Sequence, residues 1–560
     1  MRARRLGRGD GAALFGLLWA ASCLFLVALR FSPHERAASG VQASRKSAVF
    51  EPKSAMEDGF FPLNEDSEGQ ATVSLVESLP VGDFALALAV PQTFEALTRH
   101  VQTAKTSIDL SAMYWNLLGA DDRKVYSEAE MKQFGAERGR KLLFALRDAA
   151  TRGVKFRILT AKQSIGEQEQ ILSDERASCS KLPEEVQMLV DAAKENIQVR
   201  CWSGPEWYGS GILHQKIWIF DSRHVYVGSA NMDWKSLAQV MEVGVVMENL
   251  PTKSTVMQDI QRLFETWWMF ASPELLPAKT GSYFSEKFQR ELQVPAWSLY
   301  LPEDKRSEDP FMKAGLQSLG NISHQLETPF SSRSEGNETE DDSEVGASTS
   351  AQMFVAAAPL EATAGHSRAF DEDALVYTIR SANSFVSLSV MDFAPFSMYT
   401  PGPLHWPALT DALLAGVYSK PGLRVRLLIS QWQHTSPQLL EALATLKKQA
   451  ELCQHMHARC SGRLEIKIFR VPGWQNTTSS AGSKAAWPSY TRVNHAKYIV
   501  TDTRANVGTS NMEWGYFYTT AGASVNTNHE PTRKALENVF ERNWNSSYAK
   551  ALEEVIASES

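Results

Sequence analysis

The strongest constraint on the fold of this chain is that its 560 residues contain one series of segments written twice, in the same order. ALTRHVQTAKTSIDLSAMYW (Ala96 to Trp115) is answered by ALVYTIRSANSFVSLSVMDF (Ala374 to Phe393), each reading as an amphipathic helix followed by a strand. GVKFRILTAK, from Gly153, is answered by GLRVRLLISQ, from Gly422, and IQVRCW, from Ile197, by LEIKIF, from Leu464, all short β-branched strands. HQKIWIFDSRHVYVGSANMDW (His214 to Trp234) is answered by HAKYIVTDTRANVGTSNMEW (His495 to Trp514), and the helices ending FETWWM and FERNWN close the two halves. Strand and helix alternate throughout, so the duplication predicts two tandem α/β halves, placed at 79–300 and 353–557.

Segments outside the halves read differently. Gly11 to Leu29 is an uncharged, mostly apolar run of 19 residues, long enough to cross a bilayer as a helix. Arg2, Arg4, Arg5 and Arg8 precede it, which predicts a cytosolic tail (1–10), a signal-anchor (11–29) and a luminal remainder. The polar stretch 30–78 reads as a stalk, and 301–352, rich in Ser, Glu, Asp and Pro, as a disordered acidic insertion. Four sequons, at Asn321, Asn337, Asn476 and Asn545, agree with luminal exposure. Of five cysteines, Cys23 falls in the apolar run. Local pairing of Cys179 with Cys201 and of Cys453 with Cys460 keeps each bridge inside one half.

The net charge is −7, and the segment 331–350 alone carries −5, so the remainder is nearly neutral. A broad basic face for nucleic acid is excluded, and phosphate must be held locally.

The chemistry resides in the repeated H-x-K-x4-D. Side chains two apart on a strand share a face, so His214 projects with Lys216, and His495 with Lys497. After a turn, Ser229 and Asn231, and likewise Thr509 and Asn511, supply a hydroxyl and an amide to each half. Two such sets facing one another offer ammonium and amide donors to the non-bridging oxygens of a phosphodiester. One imidazole attacks phosphorus to form a phosphohistidine, and the other protonates the leaving oxygen. Neither metal nor other cofactor is required for that division of labour. Each half owns one such histidine, so the site is expected at the interface between halves.

Asp221 and Asp502 stand seven positions after their histidines, an odd separation that turns them off the reacting face and suggests a structural role at the turn. Glu242, 11 positions after Asn231, has Gly522 as its counterpart. A carboxylate on imidazole Nδ1 raises its nucleophilicity, so Glu242 is expected to mark His214 as the nucleophile. Trp207 and Tyr208, just before His214, are candidates for stacking a base, although core packing is the commoner role. His100, His224, His405 and His455 lack paired ligand spacing, and no zinc motif is present.

These paired motifs, with LHQKIWIFDSRHVYVGSANMDWKSLAQVMEVGVVM, VRLLISQWQH and TRVNHAKYIVTDTRANVGTSN, resemble the phospholipase D superfamily, and within it the type II membrane branch of endolysosomal 5′ exonucleases. The resemblance implies two α/β/α sandwich halves around a shared cleft and catalysis by His214, Lys216, Asn231, His495, Lys497 and Asn511. It further implies delivery through the endoplasmic reticulum and Golgi to the endolysosome lumen, with release as a soluble form, and stepwise removal of nucleotides from single-stranded DNA or RNA. A phospholipid is the alternative substrate, through phosphodiesterase or transphosphatidylase chemistry, a catalytically inactive binding protein is the third reading, and a homodimer is left open. Asp502, where the branch can carry Glu, the few luminal cysteines and the acidic insertion depart from the branch.

Overall fold

Two sheets with one strand order build the molecule. A computed structural model describes residues 71–162, 179, 181–208, 210–252, 254–271, 327–330, 349–359, 362, 368–399, 404–456, 460–477 and 484–559. In the first half the strands are β1 (Thr72–Ser78), β2 (Ser107–Ala112), β3 (Lys155–Ala161), β4 (Ile197–Trp202), β5 (Ile217–Phe220), β6 (His224–Gly228) and β7 (Glu242–Glu248), ordered β1-β7-β6-β5-β2-β3-β4. The second sheet contains the seven counterparts, β8 (Thr349–Ala358), β9 (Phe385–Val390), β10 (Arg424–Ser430), β11 (Arg463–Phe469), β12 (Tyr498–Thr501), β13 (Ala505–Gly508) and β14 (Gly522–Thr527), ordered β8-β14-β13-β12-β9-β10-β11, with Glu327–Phe330 and Ala369–Phe370 added against β8 and Ala549–Ala551 against β11. The two orders are the same permutation, so the duplication in the sequence is a duplication of topology.

Alternation along the strands explains why helices cover both faces. Phe156 and Ile158 of β3 join Ile108 and Leu110 of β2 in a core closed by Leu142 and Leu146 of the helix Glu137–Thr151. Arg157, between them, points the other way, grips Asp109 through two bonds of 2.7 and 2.6 Å, and lies over the ring of Phe264 on the helix Thr255–Phe270. The second half repeats the device. Val425, Leu427 and Ile429 enter its core, while Arg426 lies over Phe540 and Trp544 and pairs with Glu541 on the helix Glu530–Trp544. The similar helix ends FETWWM and FERNWN therefore supply the aromatic rings that cover a buried guanidinium.

The halves begin earlier than expected. Thr72–Ser78, assigned to the stalk, is an edge strand paired along all of Glu242–Glu248, and β8 starts at Thr349 inside the segment expected to be disordered. Within that segment Glu327–Phe330 also pairs, antiparallel, with Thr349–Gln352. Strand periodicity was masked there by polar composition. Both local disulfides, Cys179–Cys201 and Cys453–Cys460, are present. The apolar run Gly11–Leu29 and the sequons at Asn321 and Asn337 lie outside the described residues. Among the described residues no helix is long and apolar enough to cross a membrane.

The halves are joined by a reciprocal exchange of backbone. Leu213 bridges to Ala521, and Asn494 bridges to Met241, so the chain entering each motif pairs with the residue before β14 or β7 of the other half. His214 N–H donates to Ala521 O (2.9 Å), and His495 N–H donates to Met241 O (2.8 Å). An ion pair of half-buried Arg542 with buried Glu77 adds a cross-seam contact at 2.7 Å.

Gly211 sits where this seam is tightest. Its φ is +86°, and a Cβ there would lie 1.8 Å from the carbonyl oxygen of Thr519. The obstacle is backbone and cannot rotate away. Gly211→Ala is therefore expected to destabilise the fold by about 2 kcal/mol or more, read by denaturant unfolding, and to displace His214 three residues on.

Candidate active site

Both histidines owe their positions to the seam. His214 and His495 each precede a sheet strand, β5 or β12, and each is fixed by a backbone bond to the opposite half. Their rings meet edge to face, with centroids 6.3 Å apart and planes 68° from parallel, and both line one cavity of about 520 Å³ together with Asn231, Glu242, Met391 and Tyr516. In-line displacement places reacting atoms about 3–3.5 Å apart, so this separation admits one phosphate group between two imidazoles.

The lysines stand beneath the histidines. Lys216 and Lys497 are each 1 % exposed, and each Nζ donates to the carbonyl of its own histidine, at 2.7 and 2.6 Å. Burial, then the neighbouring charge of Lys497, holds Lys216 well below the ordinary lysine value. Burial likewise pushes Lys497 down to about 7, against the pull of Glu242 and Asp392. An anion bound in the cavity offsets both costs, because it favours the ammonium form of each.

Glu242 corrects the sequence reading. Its Oε2 is 2.8 Å from Nδ1 of His495, not of His214, and its Oε1 accepts from the Ser236 hydroxyl at 2.8 Å. The exchange of backbone is the cause: Met241 docks beside His495, so the next residue delivers its carboxylate across the seam. At the equivalent position near His214 stands Gly522, where a Cβ would meet the Ser510 hydroxyl at 2.3 Å. Among the described residues His214 has no carboxylate partner. Instead the ring of Tyr516 packs edge-on against it, with centroids 4.9 Å apart. Burial, then the charges of Lys216 and Lys497, holds His214 well below the ordinary histidine range. Burial also lowers His495, with Glu242 pulling the other way.

The remaining motif residues have structural partners. Asp221 accepts the backbone N–H groups of Lys105, Thr106 and Ser107, between 2.8 and 3.1 Å, and so pins the turn to the start of β2. Asp502 accepts from Asn383 and Ser384 in the same way before β9. Ser229 and Thr509 accept from the N–H groups of Val243 and Ala523, tying each motif turn to β7 or β14. Asn231 lines the cavity. Asn511 was expected as a second free amide donor, yet its Nδ2 is committed at 3.1 Å to both Asp392 and the hydroxyl of Tyr516.

Several residues escaped the sequence reading. Tyr516 occupies the position matching Ser236, and Asp392 that matching Tyr114, so comparing the two copies residue by residue carried the signal. Tyr208 is 2 % exposed against Trp202, a core residue and not a base platform, while Trp432 and Tyr490 stand at the cavity. His100 and His224 do meet, with Glu248, although chain spacing did not suggest it. Arg99, 2.8 Å from Glu248, already supplies a cation there.

Comparison with known proteins agrees with this architecture. A family model described as "Cardiolipin synthase, PLD-like domain" matches residues 97–268, and one described as "PLD3/4, PLD-like domain" matches residues 335–474. The chain is 31% identical over 484 residues to the 5′-3′ exonuclease PLD3 of Bos taurus, covering 86% of this chain and 80% of that protein. It is 30% identical over 486 residues to phospholipase D Z of Dictyostelium discoideum, covering 85% of this chain and 90% of that protein. With the duplicated topology and the paired motifs, these matches place the chain in the phospholipase D family.

Proposed function

We propose that this phospholipase D-type phosphodiesterase removes nucleotides from the 5′ end of single-stranded DNA or RNA through a phosphohistidine intermediate. The observation that carries the reading is the pair of imidazoles, one from each half, facing across a single cavity. His495 is the nucleophile in this account. Glu242 holds the Nδ1–H of His495, which leaves Nε2 with its lone pair directed at phosphorus and gives the phosphorylated imidazolium a counter-charge. As the N–P bond forms, the bond from phosphorus to the leaving oxygen breaks, and His214 gives that oxygen a proton. His214 then takes a proton from water, whose oxygen attacks phosphorus and frees His495. Lys216 and Lys497 balance the charge of the phosphoryl oxygens from below. Because both imidazoles are held below the ordinary histidine range, protonated His214 and neutral His495 coexist only on the acidic side, so turnover peaks at acid pH and falls toward neutrality.

An acidic endolysosomal lumen suits that dependence. The luminal placement, with Gly11–Leu29 as the anchor, is supported by two cysteine pairs and by the exposure of Asn476 and Asn545 to a glycosylating enzyme. A phospholipid substrate is the second reading, favoured by relatives named phospholipase D.

Purified protein incubated with 5′-hydroxyl oligonucleotides, and separately with phosphatidylglycerol, at pH 5 and pH 7 separates the two. Stepwise shortening of the oligonucleotide, faster at pH 5 and unchanged by EDTA, is the expected result, since the lysines and histidines supply charge, nucleophile and acid. No shortening at either pH rejects the nuclease reading, and loss of turnover in EDTA contradicts the mechanism.

A further inference from the structure

The cavity has two unlike walls. On the first-half side stand Tyr114, Asn116, Asp121, Asp233 and the ion pair of Asp122 with Lys235, 3.1 Å apart. There the Asp233 carboxylate accepts from the Tyr114 hydroxyl at 3.1 Å and from the Asn116 amide at 3.2 Å. On the second-half side stand Trp432 and Tyr490. Trp432 lies two residues beyond β10, at the carboxyl end of a parallel strand, the end at which α/β sheets receive ligands.

Three rings gather at that end. His434 stacks on Tyr490 with centroids 5.0 Å apart and planes 28° from parallel, and Trp432 lies against both, at 4.7 and 6.0 Å. The group is open to solvent, since Tyr490 is 59 % exposed. It is also held at a conformational cost, because Tyr490 has φ +60° and Arg492 φ +56°, the left-handed region that bulky residues avoid. The indole N–H of Trp432 is buried and has no acceptor among the described residues. An exposed aromatic stack, an unpartnered indole donor and a strained backbone beside the paired histidines have no role in bond breaking. Trp432 also packs against Val240, Met391 and Val493, but Tyr490 is exposed and contributes little to that cluster.

We propose that Trp432, His434 and Tyr490 form a nucleobase platform, which takes the base of a nucleotide flanking the phosphate held between His214 and His495. This rests on the nuclease reading and deepens it, because it names what the enzyme recognises besides phosphate. Every base has a π-face, so stacking tolerates any sequence, as an exonuclease requires. An acyl chain, which has no π-face, gains no comparable advantage from stacking on flat rings.

The test compares the full chain acting on oligothymidylates that carry either normal or abasic nucleotides at the first two positions. The unaltered protein is expected to favour the base-bearing substrate in kcat/KM by about 10-fold. Tyr490→Asn removes the ring while tolerating the left-handed backbone, and should bring that ratio close to one. Tyr490→Phe should retain it. Equal cleavage of both substrates by the unaltered protein overturns the platform without the use of any variant, as does a full preference surviving in Tyr490→Asn. If the unaltered protein cleaves phosphatidylglycerol and neither oligonucleotide, the nuclease reading itself has failed and the platform with it.

Discussion

His495→Ala is expected to lose turnover of single-stranded oligonucleotides by on the order of 10⁴-fold or more, whatever the leaving group, because no other group stands in line to attack phosphorus. His214→Ala should behave differently. With an alcohol as leaving group the loss is on the order of 10²–10⁴, the usual contribution of a general acid. With p-nitrophenolate, which leaves without a proton, the first step should proceed at nearly the unaltered rate in His214→Ala and remain absent in His495→Ala. Stopped-flow release of p-nitrophenolate reads this directly. A burst from His495→Ala, with none from His214→Ala, reverses the two roles.

The second large effect concerns Glu242, whose carboxylate is buried and bonded to His495 at 2.8 Å. Glu242→Gln should lower kcat by roughly 10²-fold or more, as removal of the acid does in comparable triads. It should also move the pH profile in a stated direction. Burial lowers the pKa of His495 and Glu242 raises it again, so without the carboxylate His495 loses its proton at a lower pH. The nucleophile must be neutral, hence the acid limb of kcat/KM shifts to lower pH while the maximum falls. A residue that only filled space would lower the rate and leave the limb in place.

Much of this was legible in the chain because duplication is visible without coordinates. The repeated H-x-K-x4-D, the repeated G-[ST]-x-N and the common order of segments predicted two α/β halves and a shared site, and the two sheets have that common order. The odd offset of Asp221 and Asp502 turned them away from the histidines, and their bonds to the starts of β2 and β9 give the physical content of that offset. Glu242 was misassigned for an equally physical reason. Counting along one half assumes that a residue serves its own half, whereas the reciprocal bridges Leu213–Ala521 and Asn494–Met241 deliver it to the other. Nothing in spacing reveals such an exchange. Tyr490 and Trp432 were missed because 58 residues separate them in the chain. Tyr208, close to His214 in sequence, instead entered the core.

Trapping of the covalent intermediate tests the central claim most directly. His214→Ala, mixed with a p-nitrophenyl phosphodiester of a nucleoside and quenched in alkali, where phosphohistidine survives, should accumulate a nucleotidyl adduct, since the group that activates water is gone. Peptide mass spectrometry is expected to place that adduct on His495, and the same experiment on His495→Ala should show none. An adduct on any other residue, or multiple turnovers by His495→Ala, contradicts the account.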